Sequence, residues 1–473
     1  MENMTSITGK EMMVVDTNCQ YYGLSSLQLM ENAGRGLAEE IKRRFDGGKV
    51  TIYAGLGNNG GDAFVAARFL PNFDVKVMLL GRSTDVKSDI ARRNLSILKT
   101  CGVNITEIRD SSMLQKDDSD VIIDGMLGTG VKGRLRDPYA TAVEIINSSS
   151  GYVVSVDVPT GLDPDTGDYH TFVKSDLTIT FHKMKPGLKK AGEVIVKSIG
   201  IPSHMEKLTG PGDVKRTYHR FSGGHKGTHG KVLVIGGGPY SGAPALTAMA
   251  AYAAGADLVN VVVPETVYDI VASFSPNLIV RKVKGEEITV EHIEHLKDIV
   301  NKFHVVVMGM GSENMSEFSQ EFLKYTDKAV LDAGALIPEV PQSCECIMTP
   351  HSAEFMKTFG YKFESEEEVI KAARSSNATI LLKSVEDIIS DGEKVKINRA
   401  GNAGMTVGGT GDLLAGIAGA FLSLDEPFWS ASSAVYINGR AGDMTMERMG
   451  YNYTATDMLS CIPLAIKESM EFE

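Results

Sequence analysis

The chain has few cysteines, no long hydrophobic run and no surplus of positive charge, and each absence removes a class of protein. Its five cysteines, Cys19, Cys101, Cys344, Cys346 and Cys461, are odd in number and scattered, which argues against a disulfide framework. Cys344 and Cys346 form a C-x-C pair with no second pair nearby; they are expected as two strand residues facing opposite ways. No segment reaches the roughly 18 continuous apolar residues that a membrane span needs. The first residues, MENMTSITGKEMM, lack the basic and apolar regions of a signal peptide. A formal net charge of -12 disfavours unspecific nucleic-acid binding, which needs a basic surface. It leaves room for nucleotide ligands, which local backbone donors can hold. The expectation is a cytoplasmic globular protein with neither nucleic acid nor membrane as a partner.

The 473 residues, 43% of them hydrophobic and 23% charged, are enough for large cores in roughly two or three domains. The first half alternates short apolar runs with helix-length segments. Val50–Ala54, Val75–Leu80, Val121–Asp124, Tyr152–Val156 and Leu177–Phe181 read as buried strands. Helices are expected over Ser25–Arg43, Ala63–Leu70 and Ser88–Thr100. Such alternation predicts a parallel sheet with helices on both faces. After Gly200 comes a Pro- and Gly-containing stretch too long for a plain loop, so a boundary is placed there, giving domains 1–210 and 211–473. A second α/β pattern follows. Its expected strands are Lys231–Ile235, Leu258–Val263, Val305–Met308, Ala329–Asp332, Cys346–Thr349, Thr379–Lys383 and Asp387–Ser390. Its helices are expected over Ala243–Ala254, Val407–Leu422 and Trp429–Met446.

Three strand ends in the first half carry polar chemistry. Val50–Ala54 runs into GLGNNGGDAF, a glycine-rich turn opening a helix, where backbone N–H groups can meet a phosphate. The spacing is neither G-x-G-x-x-G nor a P-loop, and a turn serving packing alone is the competing reading. Asp62 at the expected helix start is a polar-site residue or a helix cap. Asp124 ends the next strand, before Gly125, Gly128 and Gly130, and is a candidate for acid–base chemistry or metal binding. Asp157 and Thr160 follow a third strand; Asp157, before Pro159, could instead stabilise a turn. Oxygen ligands of this kind suit a hard cation.

In the second half, GNAGMTVGGTGDLLAGI places Gly408, Gly409 and Gly411 before a helix that begins near Asp412. Donors at a helix start stabilise phosphate oxygens, and an acid among them is a candidate base. A packing-only reading of these glycines is the alternative.

LMENAGRGLAEEI, GLGNNGGDAFVAARFL, DGMLGTG and SVDVPTGLDPDTG, in that order, resemble the YjeF N-terminal family, the epimerases of hydrated NADH and NADPH. The resemblance spans about residues 8 to 205 and implies a Rossmann-like domain that interconverts the R and S forms at carbon 6. It implies that Asn58, Asn59, Gly60, Gly61 and Asp62 bind the hydrated cofactor, and that Asn59, Asp124 and Thr160 hold a potassium ion. Gly128, Thr129, Gly130, Val131, Lys132, Gly133 and Arg134 would cover the phosphates, and Asp157 would contact the substrate. Asp124 is the candidate acid–base residue.

GGTGD resembles the ribokinase-like superfamily, and HKGTHGKVLVIGG and MTPHSAEFMKTFG narrow the resemblance to ADP- or ATP-dependent dehydratases of hydrated NAD(P)H, over about residues 213 to 470. This implies a sheet flanked by helices, with magnesium and ADP (or ATP) as phosphate donor, and ADP giving AMP and phosphate. Asp412 would be the base, and Gly311, His351 and Asp412 would meet the substrate. Lys383, Ser384, Val385, Glu386, Asp387 and Gly411 would contact the nucleotide. His225, Lys226 and Gly227 are expected in a loop on the ligand side. The family's D-A-D-A-L segment reads Asp332, Ala333, Gly334, Ala335, Leu336, without the second acid. A homo-oligomer is expected. The competing function is a ribokinase-like kinase of a small hydroxylated metabolite carrying an N-terminal nucleotide-binding module.

Overall fold

A computed structural model describes residues 6–130, 133–220 and 223–472, so Val131 and Lys132 lie outside the described residues. The chain forms two compact units, Met1–Glu206 and Lys207–Glu473. Among the described residues no helix is long and apolar enough to cross a membrane.

The first unit holds seven strands: β1 Gly48–Ala54, β2 Phe73–Leu80, β3 Asn104–Ile108, β4 Val121–Gly125, β5 Tyr152–Val156, β6 Leu177–Phe181 and β7 Glu193–Lys197. All pair in parallel, in the order β3-β2-β1-β4-β5-β6-β7. This is the Rossmann order, and the direction of winding reverses between β1 and β4. The helices are α1 Gly9–Tyr21, α2 Ser26–Arg44, α3 Asn58–Arg68, α4 Asp89–Thr100, α5 Tyr139–Ser148 and α6 Ser203–Glu206. Leu37, Phe64 and Leu95 of α2, α3 and α4 pack with Ile52 and Val77 on one sheet face. Val143 and Ile146 of α5 pack with Tyr53, Ile122 and Val153 on the other.

The glycine-rich turn is built for close packing as well as for a ligand. A Cβ on Gly55 would lie 1.7 Å from the Met126 carbonyl oxygen, and one on Gly60 would lie 2.1 Å from that of Gly55. Helix α3 therefore starts at Asn58 and absorbs Gly60 and Gly61, earlier than the expected start at Ala63. Asp62 sits inside the helix, not at its cap.

The second unit opens at Lys207, four residues before the boundary read from the sequence. Leu208 bridges Ile397 in parallel, and Ile397 N–H donates to Lys207 O (2.8 Å). The buried Lys396–Asp213 ion pair ties α7 (Pro211–Thr217) to the same strand. The unit's strands are β8 Lys231–Ile235, β9 Leu258–Pro264, β10 Ile279–Val283, β11 Val305–Met308, β12 Lys328–Leu331, β13 Glu345–Met348, β14 Thr379–Leu382, β15 Asp387–Ser390 and β16 Val395–Asn398. They run β10-β9-β8-β11-β12-β13-β14-β15-β16, parallel except for the last two pairings. Cys344 and Cys346 do not face opposite ways. Both are buried in one core cluster while Glu345 between them is exposed, as the two-residue period of a strand requires.

Helix α8 (Gly242–Ala253) packs against the helix Thr410–Leu422 at Gly416, where a Cβ would meet Thr247 O at 2.1 Å and Ala250 Cβ at 3.0 Å. The Gly416→Ala substitution is expected to destabilise the second unit by about 1–3 kcal/mol, the usual toll of overpacking. Trp429, the only tryptophan and buried in this unit, provides the fluorescence signal for a denaturant titration.

Candidate functional sites

The first site opens where the first sheet reverses its winding. The carboxyl ends of β1, β4, β5 and β6 line a cavity of about 520 Å³, with α1, α2 and the start of α4 completing its wall. A volume of this size suits a small-molecule ligand. Leu29, Met30, Met126, Leu127 and Phe181 supply apolar lining, and Asn58, Asn59, Asp62, Gly128, Thr129, Gly130 and Asp157 supply polar lining. The residues brought together here include most of the substrate set expected from sequence. Gly133 and Arg134 are exposed beyond it.

Asp124 is placed differently from the other acids. It is fully buried behind the lining, with Oδ1 accepting from Thr160 Oγ1 (2.6 Å) and Met126 N–H (3.3 Å). Its Oδ2 accepts from Thr160 N–H (2.8 Å) and Ser155 Oγ (3.0 Å). Burial raises its pKa, against the pull of those hydrogen bonds. Every one of these donors is neutral, so the carboxylate has no countercharge among them. Thr160 Oγ1 is held against it, while the Asn59 side-chain oxygen lies 3.5 Å from where a Gly128 Cβ would be and the Asn59 Nδ2 donates to Val156 O (3.0 Å). Carboxylate, hydroxyl and amide oxygens are the donor types that a hard cation takes.

Two charged residues at the cavity were not picked out from the sequence. Lys185, whose side chain is 1% exposed, donates from Nζ to Asp157 Oδ1 (2.6 Å), Thr180 Oγ1 (2.9 Å) and Phe181 O (2.9 Å). Asp157 holds a left-handed backbone (φ 61°), and its Oδ1 also accepts from Thr180 Oγ1 and Phe181 N–H. Asp16 reaches the cavity from α1, a helix that no motif announced. Burial, then the charge of Asp157, pushes Asp16 up to about 7, with Lys185 opposing. Burial, then the charges of Asp157 and Asp16, push Asp62 well above the carboxylate range, with Lys185 again opposing.

The second site lies at the carboxyl ends of the second sheet. Gly237 after β8 donates its N–H to Met310 O (2.8 Å), and Ser312 Oγ donates to Gly237 O (2.8 Å). This pairing joins the Gly309–Glu313 loop to the loop after β8. A Cβ on Gly311 (φ 76°) would lie 2.4 Å from Tyr240 O. A Cβ on Gly334 would lie 2.4 Å from Ser312 O, so the close approach of that loop explains why no acid stands at 334. Asp332, just after β12, is buried and accepts from Thr349 Oγ1 (2.8 Å) and Lys383 Nζ (2.8 Å). The Lys383 ammonium in turn lies 3.4 Å from where a Gly411 Cβ would be.

Gly409 adopts φ 102° and caps the helix Thr410–Leu422, whose first turn carries Asp412. Burial, then the charge of Asp332, pushes Asp412 up to about 7, while Lys383 pulls it down. Asp387 is pushed up to about 6 by burial. Its oxygens accept from Ser384 N–H (3.0 Å) and Asn398 Nδ2 (3.0 Å). Ser384, Val385 and Glu386 form an exposed hairpin tip, with Glu386 paired to Arg399 (2.7 Å). His351 is the N-cap of the helix Ser352–Phe359: its Nδ1 accepts from Ala353 and Glu354 N–H, and its ring is half exposed.

His225, Lys226 and Gly227 are not on the ligand side. They precede β8, at the amino ends of the strands, where the Asp257 carboxylate accepts from Gly227 N–H (3.0 Å) and His229 N–H (2.9 Å). In an open parallel sheet the ligand crevice lies at the opposite, carboxyl ends.

The two architectures define a Rossmann-like unit followed by a ribokinase-like one. A ribokinase-like superfamily protein from Enterococcus faecalis superposes with a TM-score of 0.50 at 22% identity, covering 56% of this chain and 96% of that one. Residues 26–187 match the family model of the YjeF-related protein N-terminus, and residues 232–464 match that of NAD(P)H-hydrate dehydratase. A bifunctional NAD(P)H-hydrate repair enzyme of Archaeoglobus fulgidus is 54% identical over 99% of this chain and 100% of its own length. One from Methanothermobacter thermautotrophicus is 43% identical over 96% and 94%. The chain belongs to the family of bifunctional NAD(P)H-hydrate repair enzymes.

Proposed function

We propose that this protein repairs hydrated NADH and NADPH, its first unit interconverting the R and S hydrates and its second unit dehydrating the S form at the expense of a nucleotide. The observation that carries this reading is the pairing, in one chain, of two polar sites at strand carboxyl ends, each within a region that matches one half of the family. Asn58 to Asp62, Gly128 to Arg134 and Asp157 serve the hydrate in the first site. Asn59, Asp124 and Thr160 are the residues that would hold a potassium ion, which would supply the countercharge that the buried Asp124 lacks.

In the second site Asp412 takes the proton of the carbon 6 hydroxyl as that oxygen accepts the terminal phosphoryl group of ADP. The carbon–oxygen bond then breaks, phosphate leaves, a proton is lost from carbon 5, and the reduced nicotinamide is restored beside AMP. Gly311 and His351 face the hydrate, and Lys383 to Asp387 with Gly411 face the nucleotide. Lys383 and the N-terminus of the helix Thr410–Leu422 supply positive charge toward the phosphates. Magnesium would come with the nucleotide, where it would neutralise charge on the phosphates. ADP is the expected donor, with ATP the other candidate, in a homo-oligomer of the cytoplasm.

The test uses the purified chain with a mixture of R and S hydrate, potassium, magnesium, and ADP or ATP in separate reactions. Complete recovery of the reduced-nicotinamide absorbance is the expected result. Recovery that stops at the S fraction overturns the role of the first unit. No recovery, with a stable phosphorylated product accumulating, overturns that of the second.

A further inference from the structure

Three carboxyl groups and two lysines, the buried Lys185 and the exposed Lys87, line the first cavity, and the mechanism above leaves the inversion at carbon 6 without a proton donor. Carbon 6 of the hydrate bears a hydroxyl and is bonded to the ring nitrogen. Inversion there needs one group to give a proton and another to take one. Asp124 is sealed behind the lining with both oxygens occupied. Asp157 has its charge matched by Lys185, with all its described hydrogen bonds on Oδ1 and none on Oδ2. Asp16 and Asp62 are uncommitted: among the described residues neither carboxyl makes a hydrogen bond, and both line the cavity.

On the reading of the first unit given above, we propose that Asp16 is the general acid of the epimerisation, delivering its proton to the carbon 6 hydroxyl. The carbon–oxygen bond breaks, its electron pair leaves with the oxygen as water, and the ring-nitrogen lone pair forms a carbon–nitrogen double bond. Water then adds to the other face of carbon 6 and gives a proton to Asp157, and proton exchange with solvent resets both acids. No atom is gained or lost overall. A wall with three acids against two lysines, one of them the exposed Lys87, favours this cationic intermediate over an anionic one, and Asp16 becomes a carboxylate as the cation forms.

Two further observations favour Asp16 over Asp62. A general acid works best with a pKa near the working pH, and Asp16 is pushed up to about 7, while Asp62 is held well above the carboxylate range. Helix α1 is also firmly placed. The Thr8–Glu11 capping box closes its start, Gly9 N–H donates to Asp165 Oδ1 (2.8 Å), and Ile7 N–H donates to Met184 O (2.9 Å), next to Lys185. A catalytic group on a rigid, tied element keeps its aim.

The test compares the full-length protein with its D16N and D16E variants on isolated R-hydrate, without nucleotide, following conversion to S. For D16N the expected loss is about 10²-fold or more in kcat with little change in KM, and D16E should keep part of the rate. Dehydration of S-hydrate by the same D16N preparation should match the wild type, and unchanged hydrogen exchange across β1 to β6 shows that the first unit is folded. Inversion by D16N at the wild-type rate overturns the proposal. In water labelled with heavy oxygen, each inversion by the wild type should exchange the carbon 6 oxygen; inversion with the original oxygen retained overturns carbon–oxygen cleavage. A wild type that shows no inversion at all rejects the reading of the first unit instead.

Discussion

Asp412→Asn is expected to slow dehydration by about 10²–10⁴-fold while leaving R-to-S inversion at its wild-type rate, because it removes the base of one site and touches nothing in the other. The group is well suited to that task. It stands in the first turn of a helix opened by a left-handed Gly409, with Lys383 pulling its pKa down and burial and Asp332 pushing it up, to a net value of about 7. Only the ionised form takes a proton, so dehydration by the wild type should rise with pH and level off above about 7, falling roughly tenfold per unit below it. The same substitution should stabilise the second unit. An aspartate raised above its ordinary 3.8 stays protonated in the folded chain while the unfolded chain has already released its proton. Stability is therefore lost as pH rises from about 4 towards 7, and the loss persists above it. The neutral Asn escapes that cost. Near pH 8, denaturation followed by Trp429 fluorescence should show D412N more stable by roughly 1 kcal/mol or more, the worth of a single pKa unit. Equal dehydration by D412N would remove Asp412 from the chemistry.

The interior of both sheets was legible because fully buried parallel strands are continuous apolar runs. IYA in β1, VIID in β4, VLVI in β8 and VVVM in β11 announce themselves. The four strands that did not are β3, β7, β10 and β16, which are the edges of the two sheets. NITEI and IVRKV mix polar and apolar residues without a continuous apolar run because an edge strand has less to bury, and that pattern alone does not separate it from a loop. Proximity along a folded sheet is what turns Lys207–Gly210 into a partner for β16, and no local signal carries it.

At the sites, a residue just past a continuous apolar strand was the useful signal. It marked Asp124 and Asp157, whereas Asp332, His351 and Lys383 were reached through the family resemblance. Applied to β6 it would also have reached Lys185, four residues beyond Phe181. Asp16 had no such marker. It lies within a helix whose sequence, GKEMMVVDTNCQY, carries neither glycine-rich turn nor strand end, and only the folding of α1 over the cavity gives it chemistry. The glycines taught the converse lesson. Gly55, Gly60 and Gly334 are demanded by backbone contacts, so a ligand need not be invoked to explain them.

Lys185→Met should unfold the first site and end inversion together. The ammonium is buried and answers Asp157 directly, and its charge also lowers the pKa of Asp16 and Asp62. Removing it strands a partly buried carboxylate among two others. Breaking such a pair from one side costs about 3–5 kcal/mol, whereas removing both partners costs far less. The double variant K185M/D157N is therefore expected to regain most of the stability that K185M loses. Asn suits the left-handed backbone of Asp157 (φ 61°), so the second substitution adds little strain of its own. Inversion should not return with stability, because the double variant lacks the acceptor that takes the proton from the attacking water. Hydrogen exchange across β5 and β6 measures the first quantity, and R-to-S conversion measures the second. If both recover together, Lys185 and Asp157 serve the fold alone, and the proton acceptor must be sought among the remaining acids of the cavity.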